Sequence, residues 1–452
     1  MVSIDDLVVL YDNEIGVIWA PEYAEVRATT PSHAQLIKEY IQKCRDKELK
    51  PEELERFTKY ILKTFKGSKK LKGIEPSDIC ETTALNRVEF IVTNSCNLKC
   101  KYCYADGGSY GCDSHYISPA DAGKYIDALI NSGYTSIKEI MFFGGEPTLF
   151  PETINEICKS ITKRYEEGII TSLPTFTMVT NGTLIDDYVA DIIAKYHIVV
   201  TISIDGPKGL NDSLRVDYSG AGTYDRVTAG IRLLKERGIN IRLIEATYTI
   251  NHKKLGYSRE WVKEYLSSTF DVKDVLIADC EDIAFSQGYA CDDIEELIGY
   301  VLQRADQTTT GRLIKGMGSK TKYSEYSCEG GFKNLSIIPG GNVYPCHMYL
   351  GRENYQIATL KDGKYEFNEK RYDLLKSGTK HSKVCEKCWA KFYCSMCPAI
   401  IALNESSLDY MCCVEKEAQK RMVLKYAKSV FLYNKNKKEE EYARRNHSAG
   451  IT

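Results

Sequence analysis

Apolar and polar residues alternate with two different periods along the chain, and the change of period separates its regions. Three short β-type runs are followed by two helical stretches. The runs are residues 7–12, 16–21 and 24–29, and the helical stretches are 32–47 and 51–65. The second stretch opens with Pro51 and two glutamates, which favour a helix start. This order predicts a winged helix-turn-helix-like module over residues 1–70, followed by a polar linker over residues 71–86.

Six apolar runs rich in β-branched residues alternate with helical patterns after the linker. The runs are residues 88–94, 138–144, 175–180, 198–204, 240–248 and 274–279. Repeated βα units predict a parallel sheet with crossover helices. We therefore expect an α/β fold, a partial (β/α)6 barrel over residues 87–310 with functional groups where its strands end. A cysteine-rich domain over 311–430, with an amphipathic helix at 415–434, and a solvated tail over 431–452 complete the predicted organisation.

Composition excludes several partners. The 452 residues carry a formal net charge of -2, so no overall basic field favours nucleic acid or an anionic membrane. Carboxylates interrupt the apolar runs of the first 16 residues, and no stretch of about 18 uncharged apolar residues follows. These patterns predict a cytoplasmic protein with no membrane or nucleic-acid partner.

The chain has 17 cysteines, and a cytoplasmic location makes metal ligation a better explanation for them than disulfides. Cys96, Cys100 and Cys103 form a C-x3-C-x2-C loop directly after the first run of the predicted barrel. Three thiolates can hold three irons of a [4Fe-4S] cluster and leave the fourth iron open. A zinc site is the alternative, but zinc sites usually pair cysteines as C-x2-C and complete a tetrahedral set.

This loop resembles the signature of the radical S-adenosylmethionine (SAM) superfamily, with Tyr102 as the aromatic residue before the last cysteine. The second run ends in Gly144, Gly145 and Glu146, similar to the GGE motif of that superfamily. The resemblance implies that the glycines let the backbone approach the methionyl part of SAM, and that Glu146 holds its ammonium group.

Two further residues match the superfamily at the end of the fourth run. In SIDGPKGLNDSLR, Ser203 and Arg215 stand where related enzymes contact the ribose and the carboxylate of SAM. Asn181, in the TNGT segment, is interpreted as a turn residue.

Eight cysteines near the end of the chain resemble the SPASM extension, which holds two auxiliary [4Fe-4S] clusters in radical SAM enzymes that modify peptides. By this resemblance one cluster has Cys385, Cys388, Cys394 and Cys413, with Cys412 as the alternative to Cys413; the other has Cys328, Cys346 and Cys397. The second set has three cysteines, which leaves an iron open to a substrate thiolate, unless Glu329 or His347 closes it. The last pair is separated by two residues where the family commonly has three. Two structural zinc ribbons are the alternative interpretation.

The order of domains resembles the sactipeptide synthases and the maturases of "six cysteines in forty-five residues" (SCIFF) peptides. It implies an enzyme that uses SAM and three [4Fe-4S] clusters to form thioether crosslinks in a cysteine-rich precursor peptide, with a flavodoxin or ferredoxin as electron donor. Two alternatives are formylglycine formation, as in anaerobic sulfatase maturases, and a non-enzymatic iron-sulfur sensor that binds DNA. The maturases have a further cysteine shortly after the first SPASM cysteine, and none lies between Cys328 and Cys346. A sensor would leave the GGE and SIDG elements without a role.

The first module resembles the peptide-recognition element of enzymes that modify ribosomally made peptides. Such a module binds a leader segment as an added strand. A DNA-binding winged helix is the alternative, but the acidic PEELE segment offsets the basic residues of the preceding helix.

Overall fold

The chain forms two compact units in its computed structural model. The described residues are 2–73, 80, 83–279, 322–323, 328–376, 385, 388–394, 397–399, 412–413 and 415–428. One unit comprises Met1–Glu75, Cys291–Ser327 and Ser377–Thr452, and the other Pro76–Ala290 and Cys328–Lys376. We call them the terminal unit and the central unit.

The terminal unit begins with an antiparallel three-stranded sheet and two helices. They are β1 Val8–Tyr11, β2 Gly16–Ala20, β3 Glu25–Thr29, α1 Pro31–Arg45 and α2 Pro51–Thr64. The hydroxyl of Thr30 caps α1 by accepting a hydrogen bond from the backbone N–H of His33. At the start of α2, Glu53 accepts one from the backbone N–H of Lys50. The predicted order of three strands and two helices is confirmed, whereas the helix-turn-helix assignment stays a prediction.

Both faces of this sheet are buried. On one face, Ile18 packs in a core with residues of α1 and α2, among them Ile37 and Phe57. On the other face, Trp19 packs with residues from the end of the chain. The members of this second core from the end of the chain are Phe392, Tyr393, Ala418, Met422, Val423, Leu424 and Ala427. Residues 415–428 are helical, as predicted; residues 429–434 and the predicted tail lie outside the described residues.

The central unit contains six parallel strands that lie in sequence order in one sheet. They are β6 Arg87–Thr93, β8 Glu139–Gly144, β9 Thr175–Thr180, β10 Val199–Ser203, β11 Ile241–Tyr248 and β12 Val275–Asp279. Two-residue strands are β4 Lys72–Gly73 and β13 Lys322–Tyr323, which pair in the terminal unit, and β5 Ala84–Leu85 and β7 Ser136–Ile137, which pair in the central unit. All six predicted strands are confirmed within a residue or two, and their order is that of a partial barrel.

Helices connect these strands, as expected of parallel neighbours. They are α3 Pro119–Asn131, α4 Pro151–Glu166, α5 Asp187–Lys195, α6 Lys208–Leu214, α7 Tyr224–Glu236, α8 Ile250–Lys254, α9 Arg259–Phe270 and, later in the chain, α10 Lys370–Lys376. Buried side chains such as Ile126, Ile157 and Val227 line their inner faces.

The sheet extends beyond the six predicted strands. The additional strands are β14 Asn334–Ile337, β15 Val343–Tyr344, β16 Ala358–Lys361 and β17 Lys364–Phe367. β14 pairs parallel to β6, with Asn334 opposite Arg87, and the next three strands pair antiparallel. The segment between Cys328 and Cys346 is therefore part of the sheet that carries the first cysteine loop.

Within the described residues, no helix combines the length and apolar character needed to cross a membrane.

Candidate active site

A cavity of about 420 Å3 lies in the central unit, where the ends of several parallel strands meet. Nine residues predicted from the sequence line it together: Cys96, Cys100, Tyr102, Cys103, Gly144, Gly145, Glu146, Ser203 and Arg215. They come from four separate stretches of sequence, and the common edge of a parallel sheet brings them to one place.

The cysteine loop follows β6 directly, and its three thiols are partly buried. The backbone N–H of Leu98 donates to Cys96 Sγ at 3.3 Å. Burial raises the pKa of Cys96 to about 12 and also raises that of Cys100. The Cys96 and Cys100 thiols therefore become thiolates when they bind a metal, because a metal deprotonates a coordinating thiol.

A single metal ion and an iron-sulfur cluster need different arrangements of their ligands. Among the residues that the structure describes, no three His, Cys, Asp or Glu side chains are grouped to hold one metal ion. In a [4Fe-4S] cluster each thiolate binds a separate iron.

Gly144 and Gly145 lie where the end of β8 touches the cysteine loop. A Cβ on Gly144 would lie 2.2 Å from the carbonyl oxygen of Thr93, and one on Gly145 would lie 2.0 Å from that of Ser95. The backbone N–H of Gly145 donates to Thr93 at 2.9 Å, and that of Glu146 to Ser95 at 2.9 Å. Glycine is required here because two backbones meet. The contact of these glycines with SAM, which the superfamily resemblance implies, stays a prediction.

The carboxylate of Glu146 is buried and joins the loop after β8 to the end of β9. Its Oε1 accepts hydrogen bonds from the Thr148 N–H and hydroxyl, at 3.0 and 2.6 Å, and from the Thr180 hydroxyl at 2.6 Å. Its Oε2 accepts one from the Asn181 N–H at 2.7 Å. Burial raises the pKa of Glu146. Glu146 thus fixes the ends of β8 and β9 to each other, and its predicted contact with the SAM ammonium group stays a prediction.

Asn181 does more than form a turn. Its side-chain Nδ2 donates to Asn97 Oδ1 at 2.9 Å and lies 3.8 Å from Cys96 Sγ. The residue is buried and lines the cavity. The sequence signal was its place directly after the predicted strand at residues 175–180.

Arg215 and Asp205, which are buried, form a polar network with the partly buried Tyr102 beside the cysteine loop. The Tyr102 hydroxyl donates to Asp205 Oδ2 at 2.6 Å and accepts from an Arg215 guanidinium nitrogen at 2.6 Å. Asp205 Oδ1 accepts from the backbone N–H of Thr247 at 3.0 Å. Arg215 Nε is buried and has no hydrogen-bond partner among the described residues. A buried cationic donor without a partner suits a carboxylate ligand such as that of SAM.

His252 supports the network from behind. Its Nδ1 accepts from the backbone N–H of Thr249 at 3.1 Å, so the assigned tautomer places the proton on Nε2, which donates to the Asp205 carbonyl at 2.9 Å. Burial lowers the pKa of His252. A neutral imidazole therefore holds the Asp205 backbone. Neither Asp205 nor His252 was among the sequence candidates.

Buried Glu89 pairs with His347, a partly buried residue that lines the cavity. His347 Nδ1 lies 3.2 Å from Glu89, and its ring packs 4.7 Å from the ring of Phe143. Although burial acts in the opposite direction on each group, the pairing lowers the pKa of Glu89 to about 2 and raises that of His347. The sequence signal was a carboxylate inside the otherwise apolar run VEFIV.

Of the two residues suggested as a fourth ligand, His347 has this partner, and Glu329 pairs with Lys333 at 3.1 Å. The cysteines predicted to hold auxiliary clusters divide between the units. Cys328 and Cys346 belong to the central unit; Cys328 is exposed and Cys346 partly buried. Those of the terminal unit are Cys385, Cys388, Cys394, Cys397, Cys412 and Cys413. Of these only Cys413 is exposed. Their assignment to clusters stays a prediction.

Comparison with known families agrees with this geometry. Residues 90–254 match the model of the radical SAM superfamily. These residues are a radical SAM domain. Membership implies SAM and an iron-sulfur cluster, and the three thiols of the loop and the unpartnered Nε of Arg215 fit those two groups.

Curated relatives extend well beyond the radical SAM domain. The chain is 23% identical over 380 residues to the radical SAM cyclopropyl synthase TigE of Paramaledivibacter caminithermalis, covering 77% of this chain and 76% of TigE. It is 24% identical to the cysteine-type anaerobic sulfatase-maturating enzyme of Clostridium perfringens, covering 72% and 92%. To the antilisterial bacteriocin subtilosin biosynthesis protein AlbA of Bacillus subtilis it is 22% identical, covering 68% and 66%.

Solved structures show the same fold. Native anSMEcpe with bound AdoMet aligns with a TM-score of 0.60 at 19% identity, covering 76% of this chain and 99% of that one. Streptococcus suis SuiB bound to precursor peptide SuiA aligns with a TM-score of 0.50 at 15% identity, covering 86% and 94%. The α/β fold predicted from the sequence is confirmed at this level.

Proposed function

We propose that the chain is a radical SAM enzyme that forms thioether crosslinks, from a cysteine sulfur to a carbon, in a ribosomally made cysteine-rich peptide. The single observation that carries the catalytic part is the cavity that gathers the cysteine triad, the GGE residues and Arg215. The peptide part is supported by the relatives whose names concern peptide or protein maturation, AlbA and the sulfatase-maturating enzyme among them.

When bound and reduced, the cluster and SAM supply a 5'-deoxyadenosyl radical that removes a hydrogen atom from substrate. The chain's own groups position the reactants. Arg215 binds the SAM carboxylate through its free Nε, while Tyr102 and Asp205 hold the guanidinium in place. Glu146 and Asn181 keep the strand ends against the cysteine loop.

Thioether formation must balance. The carbon gives a hydrogen atom to the 5'-deoxyadenosyl radical, which becomes deoxyadenosine; the thiol gives a proton to a base, the carbon–sulfur bond forms, and one electron leaves. Two auxiliary [4Fe-4S] clusters, held by the later cysteines, are the class of acceptor that this electron needs.

Backbone geometry supports a peptide as substrate. Asp12 N–H donates to the Ile15 carbonyl in the turn between β1 and β2. In an antiparallel ladder the N–H and C=O groups of successive residues point alternately to the two neighbouring sides. The N–H and C=O of Ile18 therefore point toward β3, and those of Val26 and Ala28 on β3 point away from β2. Within the described strands, β3 is an edge, so a leader segment can add to it.

Formylglycine formation is the second candidate, because the sulfatase-maturating enzyme covers as much of the chain as AlbA does. We favour the thioether because the segment from Glu329 to Pro345 lacks the extra cysteine of the maturases.

Mass spectrometry of a cysteine-rich precursor peptide tests the proposal, using the anaerobically reconstituted protein with SAM and a reductant. We expect deoxyadenosine and a peptide that has lost two hydrogens per crosslink while keeping its sulfur. Replacement of sulfur by oxygen would establish the formylglycine activity instead. Deoxyadenosine from a variant with Cys96, Cys100 and Cys103 all changed to Ala would contradict the radical SAM mechanism.

A further inference from the structure

The strand β2 presents neighbouring side chains to two different cores. Ile18 faces α1 and α2, whereas Trp19 faces the segment at 388–394. The Trp19 side chain is fully buried. Its ring lies 5.8 Å from that of Trp389 at an angle of 78°, and 5.3 Å from that of Tyr393.

Trp389 and Tyr393 are the immediate neighbours of two cysteines, Cys388 and Cys394. The intervening segment is compact: the Lys391 N–H donates to the Cys388 carbonyl at 3.3 Å and the Tyr393 N–H to the Ala390 carbonyl at 3.1 Å. Such short-range bonds bend the chain but do not fix the loop in space. Packing against Trp19 fixes the position of this segment.

The same core holds the helix that follows Cys412 and Cys413. Ala418, Met422 and Val423 of this helix are buried in the core that contains Trp19. Each group of cysteines at 388–394 and 412–413 is therefore adjacent in sequence to a segment that packs on the first sheet of the chain.

We propose that the N-terminal sheet is the scaffold of an auxiliary cluster, and that Trp19 is the positioning residue that holds the Cys388–Cys394 segment in the conformation its ligands need. The inference rests on the proposed auxiliary clusters and not on the identity of the substrate. Cluster ligands must be held at nearly fixed positions, and the packing behind them supplies this.

Neighbouring residues on β2 provide the test. Trp19→Ala removes the contact with the cysteine segment, and Ile18→Ala is its matched control because it removes an equally buried side chain from the opposite core. Both full-length variants are reconstituted anaerobically, and iron, sulfide and the electron paramagnetic resonance of the reduced clusters are measured. We expect Trp19→Ala to lose about four irons and the signal of one cluster. Ile18→Ala should keep the iron content and all the cluster signals of the wild type.

A conservative variant distinguishes positioning from a general loss of stability. Trp19→Phe keeps an aromatic ring at this position; it makes the ring smaller and removes an Nε1–H that has no hydrogen-bond partner among the described residues. We expect it to restore most of the iron. If Trp19→Ala is insoluble, Trp389→Ala removes the other, partly exposed half of the same contact, and we expect the same loss of iron from it.

Three results would overturn the inference. Full iron and unchanged spectra in Trp19→Ala, or in Trp389→Ala where that variant replaces it, mean that the packing does not hold the ligands. Equal losses in Trp19→Ala and Ile18→Ala mean that only the stability of the module matters. A wild-type protein with no more than about four irons has no auxiliary cluster; this last result refutes the cluster part of the proposed function as well, which separates it from the first two.

Discussion

The hydroxyl of Tyr102 donates a 2.6 Å hydrogen bond to Asp205, which lies 103 positions later in the sequence and at the end of a different strand. The bond joins the cysteine loop to the end of β10, and Arg215 shares it through its own bond to the Tyr102 hydroxyl. The cysteine loop and the predicted binding site for the SAM carboxylate are therefore held by one set of contacts.

Asp205→Asn should weaken SAM binding. The change removes the charge that Tyr102 and Arg215 face, while an amide oxygen can still accept from the Thr247 N–H. We expect the dissociation constant of SAM to rise roughly five- to thirtyfold, equivalent to about 1–2 kcal/mol. Equilibrium binding of SAM to the reconstituted protein measures it. Asp225→Asn, which removes an exposed partner of Lys208, is the control, and equal effects of the two variants would refute the role of Asp205.

Gly145→Ala should prevent assembly of the SAM-binding cluster. The new methyl group would overlap the Ser95 carbonyl and force the cysteine loop away from the end of β8. We expect a loss of about four irons and of deoxyadenosine formation. Gly123→Ala is the control, because a Cβ on that helical glycine meets nothing within 4 Å. Normal iron and activity in Gly145→Ala would show that the loop tolerates the shift.

A proline on one edge of the first sheet should block the precursor peptide. Ala28→Pro removes an N–H that points away from β2, so the existing ladder is kept while the docking edge is lost. We expect binding of a fluorescent precursor peptide to weaken by at least roughly tenfold, as measured by anisotropy. Tyr11→Pro, on the opposite edge, is the control. The edge assignment fails if Ala28→Pro binds as tightly as the wild type or if Tyr11→Pro weakens binding equally.

The free energy of unfolding of the central unit should decrease as the pH is lowered, because of His252. Its pKa is lowered in the folded protein, so the unfolded chain takes up the proton first and acid favours unfolding below the ordinary value of about 6.5. The fall is at most about 1.4 kcal/mol per pH unit for this one group. His252→Asn should be less stable near neutral pH, and its deficit relative to the wild type should shrink between about pH 7 and about pH 5.5. Urea unfolding at several pH values measures this deficit, and a constant deficit would contradict the prediction.

The strands of the barrel could be predicted because parallel strands buried on both faces have nearly continuous apolar sequences, as in residues 88–92, where Glu89 is the exception. Local motifs also located the cysteine triad and the GGE residues. The rest depends on contacts between distant positions, which periodicity does not encode. Glu89 and His347 are 258 positions apart, and β14 joins the sheet beside β6 only after the chain has passed through five other strands of that sheet.

Trp19 and Trp389 are separated by 370 positions, and this distance bears on how the protein is made. A ribosome adds about 5–20 residues per second, so roughly 20–70 seconds pass between the two tryptophans. Throughout that time the helices α1 and α2 can cover one face of the first sheet, but the face with Leu10, Val17 and Trp19 has no native partner. Until residues 389–427 have been synthesised, the nascent chain therefore exposes an apolar surface of the kind that chaperones bind.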